Sequence, residues 1–186
     1  RKALEEGRSD YTPCFFFEMP RLFDTTLPLD VALIQVTPPD EQGRFSLGVS
    51  VDYTYSAAKK AKFTIAQVNS QMPRTFGTYL EAEDIDAFVL WDEPILELPV
   101  PKIGPVEEAI GKHVASLVQD GDTMQLGIGA IPDAILRFLH DKKNLGIHTE
   151  TFSDGVVALA KEGVINNSNK KIHIGKIEAT MMMGTR

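Results

Sequence analysis

Apolar residues in this chain gather into short runs separated by polar, glycine- and proline-bearing stretches. The first clear run is DVALIQV, Asp30 to Val36, whose β-branched ends and length give the pattern of a buried strand. It stops at Thr37-Pro38-Pro39-Asp40, because proline cannot donate to an inner ladder. The stretch PPDEQGRFSLG then reads as a loop, turning at Gly43 and Gly48. Between Tyr53 and Lys62 the period changes. Ala57, Ala58 and Ala61 share one side while Lys59 and Lys60 face outward, which predicts a short helix. Phe63 to Val68 (FTIAQV) is a second strand and Ile85 to Trp91 a third. Strand, helix and strand at this spacing predict a βαβ unit with a right-handed crossover. The first 25 residues have no clean period, and Phe15-Phe16-Phe17 reads as packing material.

Residues Asp92 to Pro105 break this rhythm. Pro94, Pro99, Pro101 and Pro105 favour extended backbone, so the segment is the best linker in the chain. Beyond it, Val106, Ala109, Ile110, Val114, Leu117 and Val118 recur three and four apart, predicting a helix that buries this stripe. Thr123 to Leu126 predicts a short strand, followed by Gly127-Ile128-Gly129-Ala130-Ile131-Pro132 and a helix from about Pro132 to His140. Leu145 to His148 is again strand-like. Ser153 or Asp154 then caps a helix toward Lys161, and Ile172 to Met183 is apolar enough for another strand and part of the next element. Strands near residues 125, 147 and 179 form a second α/β unit. The expected fold class is therefore α/β, with two mostly parallel-sheet units.

Composition narrows the picture. Hydrophobic residues make up 43% and charged residues 24% of 186, the balance of a globular protein with a real core. No apolar run is long enough for a membrane span, and the opening Arg1-Lys2-Ala3-Leu4-Glu5-Glu6 is not a signal peptide. The expected location is the cytoplasm. The single cysteine, Cys14, cannot form an internal disulfide, fits a reducing compartment, and reads as a small buried hydrophobe. A net charge of -7 argues against nucleic acid as the main partner. It leaves room for an anionic cofactor held locally by backbone N–H groups.

Two candidates for chemistry stand out. Gly127 and Gly129 follow a strand and precede a helix, where the backbone can turn sharply and aim N–H groups at a phosphate or an oxyanion. The pair lacks the third glycine of a dinucleotide fingerprint and the lysine of a phosphate loop, so a tight turn explains it equally well. Glu150 follows a strand at its carboxyl end, the side on which open α/β sheets bind ligands. If its strand is parallel and adjacent to the one before Gly127, carboxylate and loop face one crevice. A solvated glutamate near a helix start is the alternative. Ser153-Asp154-Gly155 lies near His148, but without a nucleophile elbow it reads as helix capping. His113, His140, His148 and His173 are too widely spaced, and too poorly matched with acids, for a metal site. Met181-Met182-Met183 reads as gap-filling core or interface.

Four stretches in order carry a family resemblance: ALIQVTPPDEQGRFSLGVSVDYT (Ala32 to Thr54), AQVNSQMPRTFG (Ala66 to Gly77), LGIGAIPDA (Leu126 to Ala134) and NLGIHTETFSDG (Asn144 to Gly155). They span most of the chain, with the linker DEPILELPVPKIG between them. The chain resembles the acetyl-CoA hydrolase/transferase family, most of all its 4-hydroxybutyrate CoA-transferase members.

The resemblance implies CoA transfer between an acyl-CoA and a short-chain carboxylate through a glutamyl-CoA thioester, with coenzyme A as substrate rather than tightly bound cofactor and no metal. It places the nucleophile on Glu150 and the substrate or oxyanion loop on Gly127, Ile128, Gly129 and Ala130. An acyl-CoA hydrolase using the same glutamate, or a non-catalytic CoA-binding fragment, are the competing readings. Family members are more than twice as long. The expected organisation is thus the C-terminal part of a first domain (1–91), a linker (92–105) and the N-terminal part of a second domain (106–186). An assisting asparagine and a further glycine-rich segment would lie beyond Arg186. The expected assembly is a homo-oligomer, most simply a dimer.

Overall fold

The computed structural model describes residues 2–185. Two short turns of helix, α1 (Lys2–Glu5) and α2 (Met19–Leu22), precede β1 (Val31–Val36), β2 (Phe45–Ser46), α3 (Thr54–Lys60), β3 (Phe63–Val68), β4 (Tyr79–Leu80) and β5 (Ala87–Leu90). Strands β1, β3 and β5 form a parallel sheet in that order, with Val31 beside Phe63 and Ile65 beside Ala87. The expected βαβ unit is present, and β3 occupies the residues that its pattern marks. One face of this sheet carries Ala32, Ile34, Val36, Ala66 and Val68 into a core closed by Phe45, Leu47, Ala58, Leu80 and Ile85.

Within the loop read from PPDEQGRFSLG, Phe45 and Ser46 instead pair antiparallel with Leu80 and Tyr79. Two residues are too few for a period, so nothing in the sequence pattern marked this ladder. Phe45 stacks on Phe88 at 5.3 Å. The opposite face of the parallel sheet is uncovered. Val31 is 51% exposed, Leu33 77%, Phe63 43% and Val89 48%. The Phe15–Phe17 cluster is not core either: Phe15 and Phe17 are exposed and stack on each other, while Phe16 meets the edge of Tyr53. Cys14 is likewise exposed, not a buried hydrophobe, because the segment around it joins no core.

Residues 92–104 have no regular structure, as their prolines require. Pro105 begins α4 (Pro105–Ala115), a favoured place for a residue without an N–H, and the Glu107 carboxylate accepts the Gly104 N–H at 2.9 Å. The face that α4 buries differs from the expected stripe. Gly111 and Ala115 are buried, while Val106, Ala109, Ile110, Val114 and Leu117 are exposed. The cause is close approach: a Cβ on Gly111 would lie 2.7 Å from the carbonyl carbon of Ala134. Small residues let the two helices touch, and the bulkier apolar stripe is left outward.

The second half continues with β6 (Thr123–Met124), α5 (Ala130–Leu136), β7 (Gly146–Ile147), β8 (Thr151–Phe152), α6 (Asp154–Lys161) and β9 (Met181–Met182). Helix α5 starts two residues before Pro132 and stops four before His140. Gly129 is its N-cap, and Pro132 still falls in the first turn, where a missing N–H costs nothing. Strands β6 and β7 pair in parallel, as do β8 and β9, and a parallel bridge from His148 to Glu178 joins the two ladders. Their core is built from Leu136, Leu139, Leu145, Ile147, Val156, Leu159 and neighbours. The two halves touch through the backbone: Met182 N–H donates to Val49 O at 2.9 Å and Val51 N–H to Thr180 O at 3.0 Å. The architecture is α/β, with several small and mostly parallel sheets. Among the described residues no helix is long and apolar enough to cross a membrane.

Candidate active site

Glu150 sits in the single bend between β7 and β8, with its side chain exposed and without a hydrogen-bond partner among the described residues. Its backbone is fixed. The Glu150 carbonyl accepts from Thr180 N–H (3.0 Å), Met181 N–H (3.1 Å) and Thr180 Oγ1 (2.8 Å). The preceding residue, Thr149, is buried, and its hydroxyl accepts the Leu126 N–H at 3.0 Å. The same oxygen lies 2.8 Å from Leu126 O and 3.0 Å from Thr151 O, to one of which its single proton is given. Leu126 is the residue before Gly127. One threonine hydroxyl thus ties the chain bearing Glu150 to the chain entering the glycine loop.

Gly129 has φ 116° and ψ −175°, a region open essentially to glycine alone. An added Cβ there would meet nothing within 4 Å, so the glycine answers a conformational need and not a steric one. Among the described residues the N–H groups of Gly127, Ile128 and Gly129 have no acceptor. Glu150, Gly127, Ile128 and Thr151 line one open depression together with Met181 and Met183. Gly129 faces an adjoining cleft of about 360 Å³ between the segment Leu98–Ile103, the side of α5 through Asp133 and Leu136, and the start of α6, and Ile128 and Met183 border both hollows. Ala130 lines neither.

Ser153 is the N-cap of α6 by position but makes no side-chain cap bond. Its hydroxyl donates instead to the buried carboxylate of Asp133, joining α5 to α6. Asp154 accepts from Thr185 N–H at 3.0 Å and from its hydroxyl at 2.6 Å. Three of the four histidines meet carboxylates that the spacing did not bring near them. His140 Nδ1 is 2.5 Å from Glu162, His173 Nδ1 2.7 Å from Glu178, and His148 Nδ1 3.5 Å from Glu178. These partners are five to thirty residues away in sequence, so spacing alone could not reveal them. The hydrogen bond from His173 holds the Glu178 carboxyl below the usual glutamate range; the charges of His148, His173 and Lys170 add to this, and partial burial opposes it. Among the described residues no group of three His, Cys, Asp or Glu is placed to hold a metal ion.

The family model for the acetyl-CoA hydrolase/transferase N-terminal domain matches residues 1–98. The chain belongs to that family. It is 58% identical to the 4-hydroxybutyrate coenzyme A transferase of Clostridium kluyveri over all of its own length and 44% of that protein. It is 47% identical to the succinyl-CoA:cyclohexane-1-carboxylate CoA transferase of Geobacter metallireducens, again over its whole length and 43% of the relative. Among solved structures, the 4-hydroxybutyrate CoA-transferase of Porphyromonas gingivalis superposes with a TM-score of 0.90 at 45% identity, over 98% of this chain and 48% of that one. The chain thus spans less than half the length of the relatives it matches.

Proposed function

We propose that this chain carries the nucleophile-bearing part of a CoA-transferase that moves CoA between an acyl-CoA and a short-chain carboxylate such as 4-hydroxybutyrate, butyrate or acetate. The observation that carries the reading is the shared depression of Glu150 and the loop at Gly127–Ile128, with Thr149 bonded across both chains. In this reading a Glu150 oxygen attacks the acyl thioester carbonyl and the CoA thiolate leaves, giving a mixed anhydride. The thiolate returns to the glutamyl carbonyl and expels the acyl carboxylate, which leaves a glutamyl-CoA thioester. An acceptor carboxylate then reverses the sequence, takes the CoA as a new acyl-CoA, and frees Glu150. Splitting one exchange into covalent steps retains the thioester energy. Each tetrahedral oxyanion needs aimed donors, and the N–H groups of Gly127 and Ile128, which border the same depression and have no acceptor among the described residues, are assigned this role; Gly129 and Ala130, which lie outside that depression, are assigned the shaping of the loop.

The two names that the transferase relatives carry support a carboxylate acceptor. The exposure of Glu150 favours a second reading, acyl-CoA hydrolysis, because water can reach the same carboxylate. The domain reading (1–91, a linker at 92–105, and 106–186) is part of this proposal. It is supported by the irregular segment between two sets of parallel strands and by the chain's share of its relatives. A cytoplasmic homo-oligomer completes it.

The test is to incubate the enzyme at its relatives' full length with acyl-CoA and no acceptor, reduce with borohydride, and map the modified peptide by mass spectrometry. The label is expected between Asn144 and Gly155 and is absent in Glu150→Gln. A label elsewhere, or near-normal transfer by Glu150→Ala, ends the reading. Release of free carboxylate without acceptor, at the rate of transfer, selects the hydrolase.

A further inference from the structure

We propose that Lys170 is a positioning residue for Glu150; this rests on the reading of Glu150 as nucleophile. Lys170 is 4% exposed, an unusual place for a cation. Its ammonium donates to Ile147 O at 3.0 Å and to Lys176 O at 2.8 Å, and lies 3.8 Å from Glu178 Oε2. Both carbonyls belong to chains that bracket the nucleophile. Ile147 ends β7, three residues before Glu150. Lys176 leads into the segment where Glu178 O accepts the Thr149 N–H at 2.9 Å, and where Thr180 and Met181 hold the Glu150 carbonyl.

The stem of Lys170 runs over Gly146 in β7, so closely that a Cβ there would lie 2.8 Å from Lys170 Cγ. The Glu150 side chain has no partner of its own among the described residues, so its aim is set by its backbone. The buried ammonium locks the two chains that define that backbone. An apolar residue would fill the same space without desolvating a charge, a cost offset here only by bonds to both carbonyls and the nearby carboxylate.

The experiment compares Lys170→Met, which keeps the stem and removes the charge, with Lys170→Arg and Gly146→Ala in the full-length enzyme. Folded fraction is followed by circular dichroism, and kcat and KM for acyl-CoA are expressed per folded protein. Lys170→Met is expected to lower kcat by about a hundredfold, as a displacement near 1 Å does, with KM unchanged. Arginine is expected to recover part of the loss. Gly146→Ala, whose Cβ would press on Lys170 Cγ at 2.8 Å and on Thr123 Oγ1 at 2.9 Å while leaving the charge in place, is expected to lower kcat in the same way. Near-normal kcat per folded molecule in Lys170→Met, or a change confined to KM, overturns the proposal. If Lys170→Met does not fold, Gly146→Ala decides by the same two criteria, and failure of both to fold marks the lysine as structural and overturns it as well. An unaltered enzyme with no label on Glu150 would instead defeat the underlying reading.

Discussion

Glu150 presents a carboxylate without a partner among the described residues, from a backbone held by three donors, and Thr149 beside it supplies the bond to the glycine loop. Replacing Thr149 by valine keeps the shape but leaves the Leu126 N–H without its acceptor. The expected cost is about 1–3 kcal/mol of stability, read by urea unfolding, with serine restoring most of it. Gly129 makes a separate test. Because an added Cβ would meet nothing within 4 Å, alanine should cost only the backbone strain, about 1–3 kcal/mol, and valine more, since it is β-branched at a positive φ. Turnover should fall before the protein unfolds, since the strain is relieved by reorienting the loop N–H groups. Equal loss of folding and activity would make Gly129 a turn and nothing more. The glycine was legible in the sequence, because a strand-to-helix junction bearing Gly-x-Gly calls for a left-handed or extended outlier. The Thr149 bond was not, since its partner is 23 residues away and only the pairing of β6 with β7 brings them together.

At the scale of elements, strands were easier to read than buried faces. FTIAQV is a strand at the residues its pattern marks, because apolar and β-branched residues favour a half-buried pleat. The buried face of α4 differs from the apolar stripe because hydrophobic periodicity rewards size, whereas the close contact with α5 is made by Gly111 against Ala134 and the other buried residue is Ala115. Gly111→Ala should therefore force the helices apart and cost about 1–3 kcal/mol, although alanine is the better helix former; thermal melting measures it. The segment around Glu178 has its own signature. Its carboxyl is held below the ordinary value of 4.5, first by the hydrogen bond from His173. A lowered folded-state pKa means stability that is fully present above the unfolded value and lost as pH falls through the folded one. Glu178→Gln should thus melt lower than the parent at neutral pH, with the gap closing below about pH 4. A gap that persists in acid would show that Glu178 acts by shape rather than charge.

On the whole molecule, two apolar surfaces lack cover: the face of the β1–β3–β5 sheet bearing Val31, Leu33, Phe63 and Val89, and the outward stripe of α4. Parallel sheets are normally buried on both faces, and exposed apolar patches of this kind mark interfaces. The relatives are more than twice as long, so we expect further chain of the same enzyme to cover these surfaces. That expectation gives opposite signs in two settings. Alone, the 186-residue chain should self-associate in light scattering, and Leu33→Lys with Val89→Lys should reduce this by putting charge on the bare face. In the full-length enzyme the same pair should lower the melting temperature, because each lysine would be driven into a covered apolar layer where an unpaired charge is costly. The isolated chain should also yield no label on Glu150 after borohydride reduction, as the carboxylate is present while we expect part of the surface that holds CoA to come from further chain of the same enzyme. If the double variant leaves the full-length enzyme's melting unchanged, that sheet face is open to water there too. Efficient labelling of the short chain would go further, for it would mean that Glu150, the glycine loop and the clamp at Thr180 suffice to bind and attack an acyl-CoA on their own.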